Sequence, residues 1–286
     1  MNPQFIAAAQ EWLSAHAGLS PERAAVLGQV AARLVSALPA SPPLTIAISG
    51  PPGTGKSTLA GACASGLQAT GATPVVLSLD DYYLSRAVRE KRAREIHPLA
   101  ARRGPPGTHD IQLLLKHLDA IRSGTPRLIR IPHFDKSRDD RSDHDRELEI
   151  AGPPSHILFE GWLLGARPQG EAALRAPVNA LEAREDPGAT WRRWANTQLG
   201  AYQRALGARV DVHWHLQAPD WDCVIDWRWL QEQQHAKRWL QDRHAVQDFL
   251  APFQRIGLHM HDHAEHWADV LVTLDRDHHP HTRHRP

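Results

Sequence analysis

The chain has 286 residues, with 33 Lys+Arg against 32 Asp+Glu and a formal net charge of +1. That length can bury a core as one large domain or two small ones, and the even charge gives no global case for a nucleic-acid partner. Cys63 and Cys223 lie far apart and suggest a reducing compartment; no apolar run approaches the roughly 18 residues of a membrane span, and the first residues lack the basic start of a secretion signal. A soluble cytoplasmic protein with no membrane partner is expected.

Residues 4–17 carry apolar side chains at helical spacing (Phe5, Ile6, Ala9, Trp12, Leu13). Ser20-Pro21-Glu22 starts a second helix, with Ser as N-cap and Pro at the first helical position, running to about Leu38. Pro39–Pro43 then breaks the chain, so residues 1–43 are expected to form a helical extension packed on the domain that begins at Leu44.

The apolar run Leu44–Ser49 predicts a buried strand, and Gly50-Pro51-Pro52-Gly53-Thr54-Gly55-Lys56-Ser57-Thr58 follows it into a helix of small residues. This is the phosphate-binding G-x-x-x-x-G-K-[ST] pattern in the strand–loop–helix setting it requires. Glycines let backbone N–H groups turn toward phosphate oxygens, and the helix N-terminus adds its positive dipole end. Lys56 would reach the β- and γ-phosphate oxygens of a bound nucleotide, and Ser57 would offer a hydroxyl to Mg²⁺.

Pro74–Leu79 predicts a second buried strand that delivers Asp80-Asp81-Tyr82-Tyr83 at its carboxyl end, where ligands gather in open parallel sheets. Asp80 is expected to act there. Asp81 either acts with it or caps a following helix. The basic stretch Ser85–Arg103 is expected to be mostly a solvated helical face, able to lend a cation to an anionic substrate. In the loop Gly104–Asp110, Asp110 is a natural N-cap, and Thr108 and His109 precede it within reach of a ligand.

Arg127–Ile131 predicts a third strand, followed by Phe134-Asp135-Lys136 and the charged run Arg138–Arg141. Ser155–Phe159 predicts a fourth, ending in Glu160-Gly161, a carboxylate well placed to hold Mg²⁺ directly or through water. Helical spacing returns over Trp191–Leu206, a strand over Val210–Leu216, and a helix after Pro219 with Trp221, Val224, Ile225, Trp227 and Leu230 on one face. Ala268–Leu274 predicts the last strand. His259, His261, His263 and His266 lack a partner set with good metal spacing, and the His-rich tail 277–286 is expected to be disordered.

Strands alternating with helices around a phosphate loop give an α/β class with a largely parallel sheet. The ordered blocks Gly50–Ser57, Leu77–Tyr83, Gly107-Thr-His-Asp110, Phe134-Asp-Lys-Ser137 and Phe159-Glu-Gly-Trp162 resemble the phosphoribulokinase/uridine kinase group of P-loop kinases. Within it the chain is most similar to the D-glycerate 3-kinases and their bacterial relatives, over residues 44–276. The resemblance implies a P-loop NTPase fold, with helices flanking the sheet and a helical lid region that would include Arg228, Lys237, Arg238 and Arg243. It implies a kinase that uses ATP and Mg²⁺, with Asp80 as base toward the substrate hydroxyl or as a metal partner, and Glu160 at the metal. Tyr83, His109 and Phe134–Lys136 fall where the acceptor binds in that group.

Nucleoside-phosphorylating relatives carry stacking aromatics around the Lys136 position. A cation there, with Arg138 and Arg141 close behind, suits a carboxylate, since a charge-assisted hydrogen bond is about twice as strong as a neutral one. Lys136, helped by Arg141 or Arg228, is therefore expected to bind a small hydroxy acid, with D-glycerate preferred. The segment Trp227-Arg228…Gln231-Glu232 matches the glycerate-kinase pattern, whereas Trp229-Leu230 depart from it. Pantothenate, a nucleoside or another polyol is the alternative acceptor, and a non-kinase nucleotide-binding regulator the alternative class; no N-K-x-D guanine-reading segment is present. ATP against GTP preference and oligomeric state stay open.

Overall fold

The computed structural model describes residues 1–234 and 240–285. The chain opens with α1 (Pro3–Ala17) and α2 (Pro21–Ser36), then β1 (Leu44–Ser49), α3 (Lys56–Ala69), β2 (Pro74–Ser78), α4 (Arg86–Glu95) and α5 (Ile111–Ser123). Four strands come next, β3 (Arg127–Ile131), β4 (Phe134–Asp135), β5 (Asp140–Arg141) and β6 (Arg146–Ile150), before β7 (His156–Glu160). The second half holds α6 (Ala180–Glu185), α7 (Thr190–Gly207), β8 (Val212–Gln217), α8 (Trp221–Gln234), α9 (Arg243–His263), β9 (Val270–Leu274) and β10 (Pro280–His284).

A six-stranded sheet in the order β10-β9-β8-β1-β7-β2 forms the centre, parallel throughout except at the β10 edge. All six residues of β1 are buried, as expected of a strand covered on both faces. One core cluster joins α1, α2, α3 and α8 to this sheet, and a second packs α5, α7 and α9 on it. The carboxyl ends of β1, β2 and β7 lie side by side, because Ile48 and Ser78 both stand opposite Glu160. Three chemistry-bearing segments therefore emerge at one sheet edge.

The N-terminal pair is capped as its sequence implies. Asn2 accepts from the Gln4 N–H at 2.9 Å, Ser20 accepts from that of Arg23 at 3.4 Å, and Gly18 closes α1 at φ 61°. The pair docks on α3, the helix that starts at the phosphate loop, and a glycine permits the approach. A Cβ on Gly66 would sit 2.6 Å from the ring of buried Phe5. Gly66→Ala is therefore expected to destabilise the protein by about 1–3 kcal/mol through overpacking, more than its gain in helix propensity recovers. A thermal melt checks this; an unchanged or higher Tm would mean that Phe5 moves freely.

Two expectations fail here. The strand at Arg127–Ile131 forms but lies outside the central sheet: β3 pairs antiparallel with β6 alone, and β4 with β5. Lys136 thus comes after a small hairpin strand and not a strand of the parallel sheet. Alternating exposure along β3, against the continuous burial of β1, is the physical reason.

The tail is likewise ordered, since β10 pairs antiparallel with β9 from Pro280↔Leu274 to His284↔Val270. Asp275 makes the reversal. Its carboxylate accepts the N–H groups of Asp277 and His279 at 2.9 and 2.8 Å, and His278 adopts φ 62°. Polar side chains do not prevent an edge strand, because the ladder bonds come from the backbone. Among the described residues no helix is long and apolar enough to cross a membrane.

Candidate active site

The phosphate loop leaves β1 through Gly50, Gly53 and Gly55, at φ 145°, 87° and 85°. Gly50 is obligatory for a second reason: a Cβ there would lie 2.4 Å from the carbonyl oxygen of Leu216. α3 begins at Lys56, so its free N–H groups face the loop. The Lys56 ammonium donates to the Pro51 carbonyl at 3.0 Å, and the Thr54 hydroxyl donates to the same oxygen at 2.9 Å. Burial lowers the Lys56 pKa, and the Glu160 and Asp80 carboxylates oppose that shift.

Glu160 ends β7 with 8% exposure. Its Oε1 accepts from Ser57 Oγ at 3.1 Å and Ser78 Oγ at 2.7 Å. Burial raises its pKa, against the pull of Lys56. A hydroxyl and a carboxylate converge here beside the phosphate loop. Hard oxygen donors of this kind fit Mg²⁺.

Asp80 lies in a short helical turn after β2, with Oδ2 2.7 Å from Lys136 Nζ. Burial alone would raise its pKa, but the charge and hydrogen bond of Lys136, with help from Lys56, outweigh it and lower the value to about 2. Asp80 in turn raises the pKa of Lys136, against burial. Asp81 points elsewhere: its Oδ1 is 3.4 Å from His133 Nδ1, and it caps no helix, since the N-cap of α4 is Ser85.

A cavity of about 340 Å³ opens over the loop, and its wall includes Lys56, Asp80, Tyr83, Lys136, Glu160 and Arg228. His109, Phe134 and Arg141 are absent from that wall; they stand behind Tyr83. The Tyr83 ring stacks on His109 at 4.5 Å and meets Phe134 edge-on at 5.1 Å. Arg141 donates to the Tyr83 carbonyl at 2.8 Å and to Asp110 Oδ2 at 3.2 Å. These three residues thus meet the cavity through Tyr83, which they hold in place.

His109 is nearly fully buried, and burial lowers its pKa to about 3. The Tyr202 hydroxyl oxygen accepts the N–H groups of Gly107 and His109 at 2.8 and 3.2 Å, so its proton is left for His109 Nδ1 at 3.3 Å. His109 is then the neutral tautomer with the proton on Nε2.

Sequence reasoning missed part of the wall. Arg103, Trp162, Phe249 and Phe253 also line the cavity. Arg103 and Arg89 belong to the stretch expected to be solvated, yet they are 9% and 1% exposed, and both pair with Asp139. Their guanidinium groups cover the Phe134 ring at 5.5 and 5.7 Å. Charge counting cannot tell which member of a basic run turns inward; the adjoining Gly104 turn was the available signal. Arg228 pairs with Glu232 and lies 5.6 Å from the Phe249 ring. Leu230, placed on the buried face from sequence, is exposed. Arg243 bonds Asp226 at 2.7 Å, away from the cavity, and Lys237 and Arg238 lie outside the described residues. His259, His261, His263 and His266 enter no three-ligand group among the described residues.

No family model matches the chain. It is 33% identical over 202 residues to an uncharacterized kinase, mug58, of Schizosaccharomyces pombe, covering 68% of this chain and 72% of that protein. It is 33% identical over 196 residues to the chloroplastic D-glycerate 3-kinase of Arabidopsis thaliana, but spans only 40% of that protein's length. The chain belongs to the D-glycerate 3-kinase-like family of P-loop kinases. The solved structure of a D-glycerate 3-kinase from Cryptococcus neoformans superposes with a TM-score of 0.70 over 92% of this chain and 98% of that one, at 23% identity, which shows the shared fold. The protein is an ATP-dependent kinase. In this kinase the phosphate loop, Glu160 and Asp80 occupy the three adjacent strand ends of the parallel sheet.

Proposed function

We propose that this kinase transfers the γ-phosphoryl group of ATP to a hydroxyl of a small hydroxy acid, D-glycerate. The observation that carries the reading is the placement of Lys136 against Asp80 in a cavity that also holds Arg103 and Arg228. A carboxylate acceptor is drawn to that cationic end, and its hydroxyl comes to lie beside Asp80, facing the phosphate loop. The names of the Arabidopsis and Cryptococcus relatives support the same acceptor.

The pairing also supplies a mechanism. A carboxylate held near about 2 is a weak proton acceptor, because a base works best with a pKa near the operating pH. Lys136 is the largest charge holding it there. An acceptor carboxylate that shares Lys136 weakens that hold, so Asp80 becomes a better base as the substrate arrives. Lys56 positions the phosphates and neutralises charge that builds in the loose transition state. Ser57 and Glu160 would hold Mg²⁺, which supplies charge neutralisation at the β- and γ-oxygens. The two buried free cysteines fit a reducing compartment such as the cytoplasm.

Two measurements test these roles. Glu160→Gln is expected to raise the Mg²⁺ concentration for half-maximal activity by about tenfold, the usual lower bound for loss of a group that orients metal ligands. An unchanged Mg²⁺ curve would make Glu160 a purely structural partner of Ser57 and Ser78. Lys136→Met, assayed with D-glycerate and with its amide, is expected to lose most of the preference for the acid while KM for ATP stays put. An unchanged acid-to-amide ratio would move the carboxylate away from Lys136 and refute this part of the reading.

A further inference from the structure

A separate cavity of about 220 Å³ lies between the segment after β7 and helix α7, and it shares no wall residue with the cavity over the phosphate loop. Leu163, Leu199, Leu206, Val210 and Trp267 make its floor apolar. The Trp267 ring closes against Gly165, where a Cβ would run into it. Nothing in the phosphoryl-transfer chemistry uses this space.

Arg167, Gln203 and His213 bring side-chain nitrogens to the wall. Arg167 is exposed and forms no ion pair or hydrogen bond among the described residues, and neither does the Gln203 amide. His213 Nδ1 is buried without a hydrogen-bond partner, so the ring proton rests on Nε2, the nitrogen left open. Burial lowers the His213 pKa, with Arg167 helping and Asp269 opposing, so the ring is neutral at pH 7. Asp269 accepts the His213 backbone N–H at 2.8 Å and lies outside the wall. The cavity therefore offers one full positive charge and two neutral donors.

One residue joins this cavity to the acceptor site. Tyr202 lines it, and the Tyr202 hydroxyl bonds the loop of Gly107 and His109, whose imidazole stacks on Tyr83.

We propose that this cavity is an effector site for a small monocarboxylate with an apolar body, and that the ligand acts on the acceptor site through Tyr202. Its effect on turnover rests on the kinase reading above; its ligand chemistry does not. One guanidinium answers one negative charge, and a carboxylate can take two parallel N–H bonds from it. A phosphate dianion would leave charge unmatched over an apolar floor, which is costly. The volume falls below the range of drug-sized ligands and keeps the body small. A ligand packed on the Tyr202 ring biases the hydroxyl that holds the His109 loop, and Tyr83 with it.

Calorimetric titration of the full chain with butyrate and with inorganic phosphate, at neutral pH, tests this. Arg167→Gln and Lys136→Met separate the cavity from the acceptor site. Butyrate is expected to bind the wild type and Lys136→Met with equal affinity. Arg167→Gln should bind it at least about tenfold more weakly, the equivalent of 1.4 kcal/mol. Saturating butyrate is expected to shift KM for D-glycerate by about fivefold, the lower end of usual coupling between sites, and to leave it unchanged in Arg167→Gln. Absence of butyrate binding, tighter binding of phosphate, or a loss in Lys136→Met that Arg167→Gln does not show overturns the proposal. Butyrate binding that leaves the acceptor KM unmoved overturns it as well. The titration decides the site even if D-glycerate supports no turnover, so this proposal and the kinase reading fail separately.

Discussion

Asp80→Asn is expected to lower kcat by about 10²–10⁴-fold, the usual worth of a positioned general base, with the fold and ATP affinity close to wild type. Asn keeps the size and removes the proton acceptor. The fold should survive because the Asp80–Lys136 pair is partly exposed, with side chains 29% and 62% accessible, and such pairs add little to stability. Asp81→Asn should do much less, because Asp81 faces His133 outside the cavity wall. A more damaging Asp81→Asn would contradict the assignment.

The pH dependence of Asp80 has a definite sign. Its folded pKa of about 2 lies below the ordinary 3.8, so the free enzyme keeps the carboxylate ionised throughout the neutral range. Any stability it contributes is present above the unfolded value and is lost as pH falls toward the folded one. In kcat/KM, which reports the free enzyme, Asp80 should add no acidic limb near neutrality. In kcat its limb should lie higher, because bound acceptor shares Lys136.

Lys56→Ala is expected to reduce phosphoryl transfer by two to three orders of magnitude, the roughly 3–4 kcal/mol that one lost transition-state charge contact costs. Lys56 sits where the loop passes into α3, and its side-chain bond goes to the Pro51 carbonyl of the same loop. Removing it frees one carbonyl and breaks no core contact, so the melting temperature should change little. Phosphate oxygens are the stronger partners for the ammonium and would draw it off Pro51. A folded Lys56→Ala protein with near-wild-type turnover would contradict the role assigned to the loop.

Local chemistry made part of this site legible in sequence. Gly50–Thr58 reads directly, because the glycines, the lysine and the flanking strand and helix all serve one backbone geometry. Asp80 and Glu160 read as the first carboxylates after apolar runs, and strand order brings them together. What failed depends on distant partners. Arg103 turns inward because Asp139 and Phe134 await it, 36 and 31 residues along the chain. His109 and Arg141 stand behind Tyr83, where Tyr202 and Asp110 bond them, a placement that no local pattern encodes. β10 forms on backbone pairing to β9, which side-chain pattern does not encode.

The most direct test is ATP turnover, measured as ADP release, with D-glycerate, other small hydroxy acids, pantothenate and uridine offered singly as acceptors. ADP release that depends on D-glycerate, exceeds that with pantothenate or uridine, and disappears in Asp80→Asn is the predicted result. Turnover indifferent to the acceptor, or a preference for uridine or pantothenate over every hydroxy acid, would contradict it.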